Sequence, residues 1–161
     1  MESFEVDRIL NLYHSNDYSE VVKKWKPPCV PNKSNHWLYL EELREFDFVR
    51  DIINRDLQSV DERYICGEFF TLLIYKKGDF FSRHNDKSPD SGLLDEEEVK
   101  LSLSGGYYLN DNYTGGDFIL GGKRLESNIG EIFIFGRDVL HEVTEVTDGM
   151  RYTLHFGVEM I

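Results

Sequence analysis

Between residues 66 and 159 the chain is cut into short runs of β-forming residues by turn-forming residues, and that punctuation constrains the fold more than any other feature. The runs are 68–76 (EFFTLLIYK), 80–86, 101–109, 117–120, 131–135, 140–146 and 151–158. The breaks fall at Lys77-Gly78-Asp79, Asn110-Asp111-Asn112, Gly115-Gly116, Gly121-Gly122, Ser127-Asn128 and Asp148-Gly149. Branched and aromatic side chains fit a pleated, half-buried surface, whereas Gly, Asn and Asp adopt the backbone angles that turns require. In one run Leu101, Leu103, Gly105 and Tyr107 recur with period two, as one face of a strand demands. Many short strands so separated predict a β sandwich or jelly roll.

The first sixty residues are patterned differently. Val6, Ile9, Leu10 and Tyr13 recur at helical spacing, which predicts a short amphipathic helix. Leu43, Phe46, Val49, Ile53 and Leu57 form one apolar stripe, with Glu41, Glu42, Arg44, Arg50 and Asp51 largely off it, and predict a second helix packed on a core. Lys26-Pro27-Pro28-Cys29-Val30-Pro31-Asn32 cannot continue a helix and reads as a loop. The chain is therefore expected to be mainly β with flanking helices, one domain over 1–161. Residues 1–60 would supply mainly supporting helices and a Pro-containing loop, and 66–159 the β core. Residues 87–98 (KSPDSGLLDEEE) read as an acidic loop between strands, a solvated surface or part of a lid.

The formal net charge of −12 repels phosphate backbones and argues against a nucleic-acid partner. The basic cluster Lys23, Lys24 and Lys26 around Trp25 reads as a solvated loop. Two cysteines, Cys29 and Cys66, are too few for a disulfide scaffold and are expected to be reduced thiols. The opening MESFEVDRIL has no apolar leader pattern, and no apolar run approaches the ~20 residues of a membrane span. A soluble, cytoplasmic protein is the expectation.

Chemistry enters at Ser82-Arg83-His84-Asn85-Asp86. Residues i and i+2 of a strand point to one face, so His84 and Asp86 would project an imidazole and a carboxylate together. His141, far along the chain, adds a second imidazole. Two histidines and one carboxylate are the donor set of non-haem iron(II) oxygenases, which leave coordination positions open for a cosubstrate and oxygen. 2-Oxoglutarate chelates such a metal through its C1 carboxylate and 2-oxo group, and its distal carboxylate needs a cation. Arg151, ten residues after His141, offers the planar two-pronged guanidinium that lysine cannot copy. His141, the turn at Asp148-Gly149 and Arg151 would form a hairpin returning to one cleft.

Taken in order, Tyr75 before Gly78, His84-x-Asp86, Tyr107-Tyr108-Leu109-Asn110, Gly115-Gly116-Asp117, Gly130 to Phe135, His141-Glu142-Val143 and Gly149-x-Arg151-Tyr152 carry a resemblance. Over about residues 66–159 the chain resembles the prolyl 4-hydroxylase-like family of iron(II)/2-oxoglutarate-dependent dioxygenases. The resemblance implies a double-stranded β-helix (a jelly roll) with helices outside. It implies His84, Asp86 and His141 as iron(II) ligands and Arg151 as partner of the 2-oxoglutarate C5 carboxylate. Tyr75 corresponds to a tyrosine bonding that carboxylate, and Tyr108 to a second active-site tyrosine. Thr153 and His155 share a strand face with Arg151. His155 stands where relatives carry a small hydroxyl residue, and Thr153 offers a hydroxyl. Related halogenases have a small residue at the carboxylate position, with chloride in the vacancy, so Asp86 implies hydroxylation. Oxygen is then the co-reactant, and ascorbate a supporting reductant.

The resemblance implies C–H hydroxylation of a prolyl residue in a protein or peptide, with release of succinate and carbon dioxide. A free amino acid or other small molecule is the alternative. Loops 26–36, 87–98 and 110–116 would supply substrate contacts. Trp25, Trp37 and Tyr113 would offer flat surfaces there, or pack in the core. Nucleic-acid demethylation and a non-enzymatic, metal-binding jelly roll rank below these readings; the latter leaves Arg151 unexplained. His14 and His36 receive no role, and the oligomeric state is left open.

Overall fold

A computed structural model describes residues 1–24, 33–86, 103–126 and 128–161. Trp25, the Pro-containing loop, Cys29 and the acidic loop 87–98 therefore lie outside the described residues.

The first predicted helix is α1 (Ser3–Ser15), and its start is fixed by a capping box between Glu2 and Glu5. Val6 and Ile9 are its buried face. Three short strands follow: β1 (Lys23–Lys24), β2 (Lys33–Ser34) and β3 (His36–Tyr39). They are short additions to a segment expected to be mainly supporting helices and a Pro-containing loop. The second predicted helix also begins later than its stripe. Leu40–Glu42 and Arg44–Phe46 are tight 3-10 turns, and the α-helix α2 is Asp47–Val60. Phe46 still reaches the core from the second turn, and Val49, Ile52, Ile53 and Leu57 from the helix.

The β region is β4 (Tyr64–Tyr75), β5 (Phe80–His84), β6 (Leu103–Tyr108), β7 (Thr114–Gly115), β8 (Phe118–Leu120), β9 (Lys123–Arg124), β10 (Ile132–Gly136), β11 (His141–Val143), β12 (Val146–Asp148) and β13 (Arg151–Met160). The expected run 140–146 thus divides, because β11 and β12 belong to different sheets. One sheet has the order β1-β3-β4-β13-β6-β10 and a second β2-β5-β11-β8-β9; β12 pairs with β7 apart from both. From β4 onward the chain crosses repeatedly between the two large sheets, which makes a double-stranded β-helix, as expected.

Period-two alternation sorts the six-stranded sheet into two cores. Phe70, Leu72 and Ile74 of β4, with Tyr152, Leu154, Phe156 and Val158 of β13, pack outward with the helices, Leu38 and Tyr107. The alternate residues Leu73 and Tyr75 join Tyr108, Phe118, Phe133, Phe135 and Val143 between the sheets. Arg151, Thr153 and His155 are in the inward phase of β13, so one alternation places them all in the interior.

Gly106 is the inward position of β6 opposite both His155 and Phe133. A Cβ there would lie 2.6 Å from the Leu154 carbonyl oxygen and 2.7 Å from the Phe133 ring. Gly106→Ala is therefore expected to cost about 1–3 kcal/mol of stability by overpacking. Urea unfolding checks this: the midpoint falls with the slope unchanged. Among the described residues, no helix is long and apolar enough to cross a membrane.

Candidate active site

β5 and β11 are antiparallel neighbours, and their register sets His84 directly opposite His141. The two imidazoles meet edge to face with centroids 4.2 Å apart. His84 stacks on Phe81 at 3.6 Å, and His141 packs edge-on to Phe135 at 4.9 Å and Phe118 at 5.7 Å. Each ring is oriented by the backbone two residues earlier. His84 Nδ1 lies 2.8 Å from the Ser82 carbonyl oxygen and His141 Nδ1 2.9 Å from that of Val139. A carbonyl only accepts, so each Nδ1 carries the proton and each Nε2 presents its lone pair.

The strand ends at His84, so Asp86 does not share a strand face with it as the i, i+2 argument assumed. Its position is set instead by its backbone N–H, which donates to the Arg137 carbonyl oxygen at 2.9 Å. Asp86 Oδ1 stands 3.3 Å from His141 Nε2 and 3.8 Å from His84 Nε2. Donors to a metal at about 2.1 Å, at right angles, are about 3 Å apart, so the Asp86–His141 pair is already near that spacing and the cluster as a whole would draw together around an ion. The other oxygen, Oδ2, accepts the Ser104 hydroxyl at 2.6 Å, which orients the carboxylate. Burial raises the Asp86 acid, but His141, His155 and Ser104 outweigh it and hold the group well below the usual carboxylate range. The same pairing raises His141 against its burial. His84, Asp86 and His141 are thus brought together as a set that could hold a metal, with ligand atoms within 4.8 Å of one another.

Across the interior from this cluster is Arg151. It and His141 do not form a hairpin, because β11 and β13 lie in opposite sheets and face each other over one cavity. That cavity has a volume of about 150 Å³ and is lined by the three clustered residues, by Arg151, Tyr75, Thr153 and His155, and by apolar side chains that include Leu73, Phe118, Phe133 and Phe135. A cavity of that order accommodates a small organic molecule.

Arg151 is 2% exposed, and among the described residues its guanidinium has no carboxylate partner. Its Nη1 reaches the Thr153 hydroxyl at a long 3.4 Å, and its buried Nε has no hydrogen-bond acceptor. Its Cζ is 5.1 Å from the Tyr75 ring centroid and 5.3 Å from that of Tyr108. A buried guanidinium flanked by rings and without a carboxylate partner among the described residues could receive an anion. Burial pushes the Tyr75 phenol up to about 12, against the charge of Arg151, so it remains a donor.

Tyr108 is not part of the cavity wall; its ring flanks Arg151 and its hydroxyl donates to the Leu125 carbonyl oxygen at 3.5 Å. Burial raises the Tyr113 phenol while Arg151 lowers it, which places this loop tyrosine beside the same guanidinium. Burial pushes the His155 imidazole down, with Asp86 opposing and His141 and Arg137 assisting. Trp37 is half-buried in β3, paired with Leu73. His14 packs edge-on against Tyr152, and His36 lies 3.7 Å from Asp79, both away from the cavity lining. Cys66 is a free, buried thiol pushed up to about 11 by burial.

Sequence reading missed Ser104, whose only signal was its phase with Gly106 and Tyr108 on one strand face. It took Gly115-Gly116 as a turn and as part of the resemblance, without a role beside Arg151. Gly116 has a left-handed φ of +62°, and a Cβ there would lie 2.9 Å from Arg151 Cδ, so it lets the loop close on the arginine.

A sequence model described as the 2OG-Fe(II) oxygenase superfamily matches residues 70–156. A PKHD-type hydroxylase from Pseudomonas putida (strain W619) is 27% identical over 93 residues, a match spanning 54% of this chain and 41% of that protein's length. Among solved structures, a 2OG-Fe(II) oxygenase family oxidoreductase from Burkholderia pseudomallei superposes with a TM-score of 0.74 at 13% identity, over 99% of this chain and 80% of the other. A prolyl-4-hydroxylase from Pseudomonas putida superposes with a TM-score of 0.68 at 16% identity, covering 100% and 89%. At those identities the structural likeness speaks for the fold.

Proposed function

The chain belongs to the 2OG-Fe(II) oxygenase superfamily, and from that premise we propose that it is an iron(II)- and 2-oxoglutarate-dependent dioxygenase that hydroxylates a C–H bond, with a prolyl residue of a protein or peptide as substrate. The observation that carries the reaction class is one cavity with a two-histidine, one-carboxylate cluster in one wall and, in the other, a buried arginine that has no carboxylate partner among the described residues. A plain metal-binding jelly roll has no use for that arginine.

The residues fit the group they would hold. His84 Nε2, His141 Nε2 and Asp86 Oδ1 would hold iron(II), and all three residues line the cavity. When bound, iron(II) would couple decarboxylation of 2-oxoglutarate by oxygen to attack on a substrate C–H bond, giving succinate, carbon dioxide and the alcohol. Asp86 stays ionised because His141 and Ser104 hold it so. Arg151 would take the C5 carboxylate in a two-pronged contact that gives its buried Nε the acceptor it lacks among the described residues. The Tyr75 and Thr153 hydroxyls line the same end and can donate to that carboxylate. Phe118, Phe133, Phe135 and Leu73 exclude water, which strengthens every polar contact inside. Asp86 fills the position that a halide would need. The prolyl substrate draws support from the prolyl-4-hydroxylase among the similar structures.

The test is succinate release by purified protein with iron(II), oxygen, 2-oxoglutarate and ascorbate, with and without proline-containing peptides. Iron-dependent succinate that rises with a peptide is the expected result. Bound iron with no succinate under any condition would sink the oxygenase reading.

A further inference from the structure

A second arginine stands beside this site with no hydrogen-bond or ion-pair partner among the described residues. Arg137 follows β10 directly, and its carbonyl oxygen accepts the Asp86 N–H at 2.9 Å, so its backbone is tied to the metal cluster. Its side chain lies over Gly157: Nη2 is 2.8 Å from the position a Cβ would take there. Gly157 is the inward-phase residue after His155 and pairs with Ser104, the residue that orients Asp86. Two residues of strand are about 7 Å, so the guanidinium sits one inward position beyond the cavity lining. Opposite Gly157 the ladder is irregular, with Phe156 paired to Phe70 but Val158 to Cys66, so Gly67, Glu68 and Phe69 face one residue. Phe69 is 56% exposed there, and its ring is 6.5 Å from that of Tyr39. Arg137 Nε is buried without an acceptor, and among the described residues the guanidinium has neither an ion pair nor a hydrogen bond.

We propose that Arg137 is a substrate-binding residue whose guanidinium takes a carboxylate of the substrate at the mouth of the cavity, beside the metal cluster. The proposal rests on the dioxygenase reading for what the cavity holds, but the anion contact is a property of this chain's own residues. Arg151 is committed to the cosubstrate, so a second, separate carboxylate contact selects the molecule to be oxidised. The carboxylate belongs either to a free amino acid or to an acidic residue next to the hydroxylated position. A planar fork with unused donors suits either, and an uncharged amide cannot replace the ionic part of the contact.

The test uses probes that differ only in that charge: the free L-amino acids against their amides, and acetyl-Pro-Glu-amide against acetyl-Pro-Gln-amide. Each is titrated by calorimetry into protein holding iron(II) and 2-oxoglutarate without oxygen, and again without 2-oxoglutarate. At least one acid is expected to bind about ten- to a hundred-fold tighter than its neutral twin. Arg137→Gln is expected to erase the difference while leaving 2-oxoglutarate affinity and thermal midpoint unchanged. Which pair responds identifies the source of the carboxylate. If no acid binds, if acid and amide bind alike, or if discrimination survives in Arg137→Gln, the proposal is overturned. Arg137→Lys separates charge from geometry: it should keep a preference for acid but with weaker binding. Wild-type protein that takes no 2-oxoglutarate yet still separates acid from amide would overturn the dioxygenase reading and keep the anion site. Wild-type protein that binds 2-oxoglutarate and treats the pairs alike would do the reverse.

Discussion

His84→Ala is expected to lose at least about a thousand-fold in succinate release, the ~4 kcal/mol scale of a metal centre's contribution, while the protein stays folded. The two effects separate because of where His84 stands. Its side chain is 21% exposed, lies at the end of β5 and opens on the cavity. Truncation removes one of three donors and the stacking on Phe81, but it leaves the core between the sheets filled by Phe118, Phe135 and Val143. His141 is different. It is 5% exposed and wedged against Phe118 and Phe135, so His141→Ala should lose stability as well as activity. The measurement is succinate release together with bound iron and the urea midpoint for each variant. A His84→Ala protein within ten-fold of wild type would show that the ligand assignment is wrong.

Arg151→Met is expected to give a protein at least as stable as wild type that no longer responds to 2-oxoglutarate. Without cosubstrate the wild-type guanidinium is 2% exposed, with a 3.4 Å contact to Thr153 and two aromatic rings as its surroundings. Burying a charge without a counter-ion costs several kcal/mol, and apolar replacement of buried charged groups is often neutral or stabilising. If Arg151 holds the cosubstrate as proposed, 2-oxoglutarate would supply that carboxylate and should raise the wild-type thermal midpoint in proportion to its occupancy. Arg151→Lys keeps the charge but loses one prong, and its KM for 2-oxoglutarate should rise about ten- to a hundred-fold. Thermal scans with and without 2-oxoglutarate decide the matter. An equal rise in midpoint for wild type and Arg151→Met would remove Arg151 from the cosubstrate site.

Local chemistry was readable in the sequence because its periods are local. The turn-forming pairs marked the strands after residue 60, the 3.6-residue stripe marked α2, and His84, Asp86, His141 and Arg151 stood out as a candidate donor set and a candidate cation that the fold brings to one cavity. The period-two phase put Arg151, Thr153 and His155 on one face. What the sequence could not carry was pairing between distant segments. His36–Tyr39 is four residues among loops, and it becomes a strand only because the edge of β4 offers unpaired N–H and C=O groups. Ser104 acquires a role 18 residues from Asp86, and Arg137 acquires one over Gly157, because crossing strands bring them together. The hairpin expected between His141 and Arg151 failed for the same reason: sheet membership is decided by long-range hydrogen bonding, not by sequence separation. The sequence by itself thus determined which groups are candidates for chemistry and, along β13, the phase in which they point. The tertiary structure alone decided which of them face one another, because contacts across the barrel are fixed by strand register and layer, and neither leaves a local periodic trace.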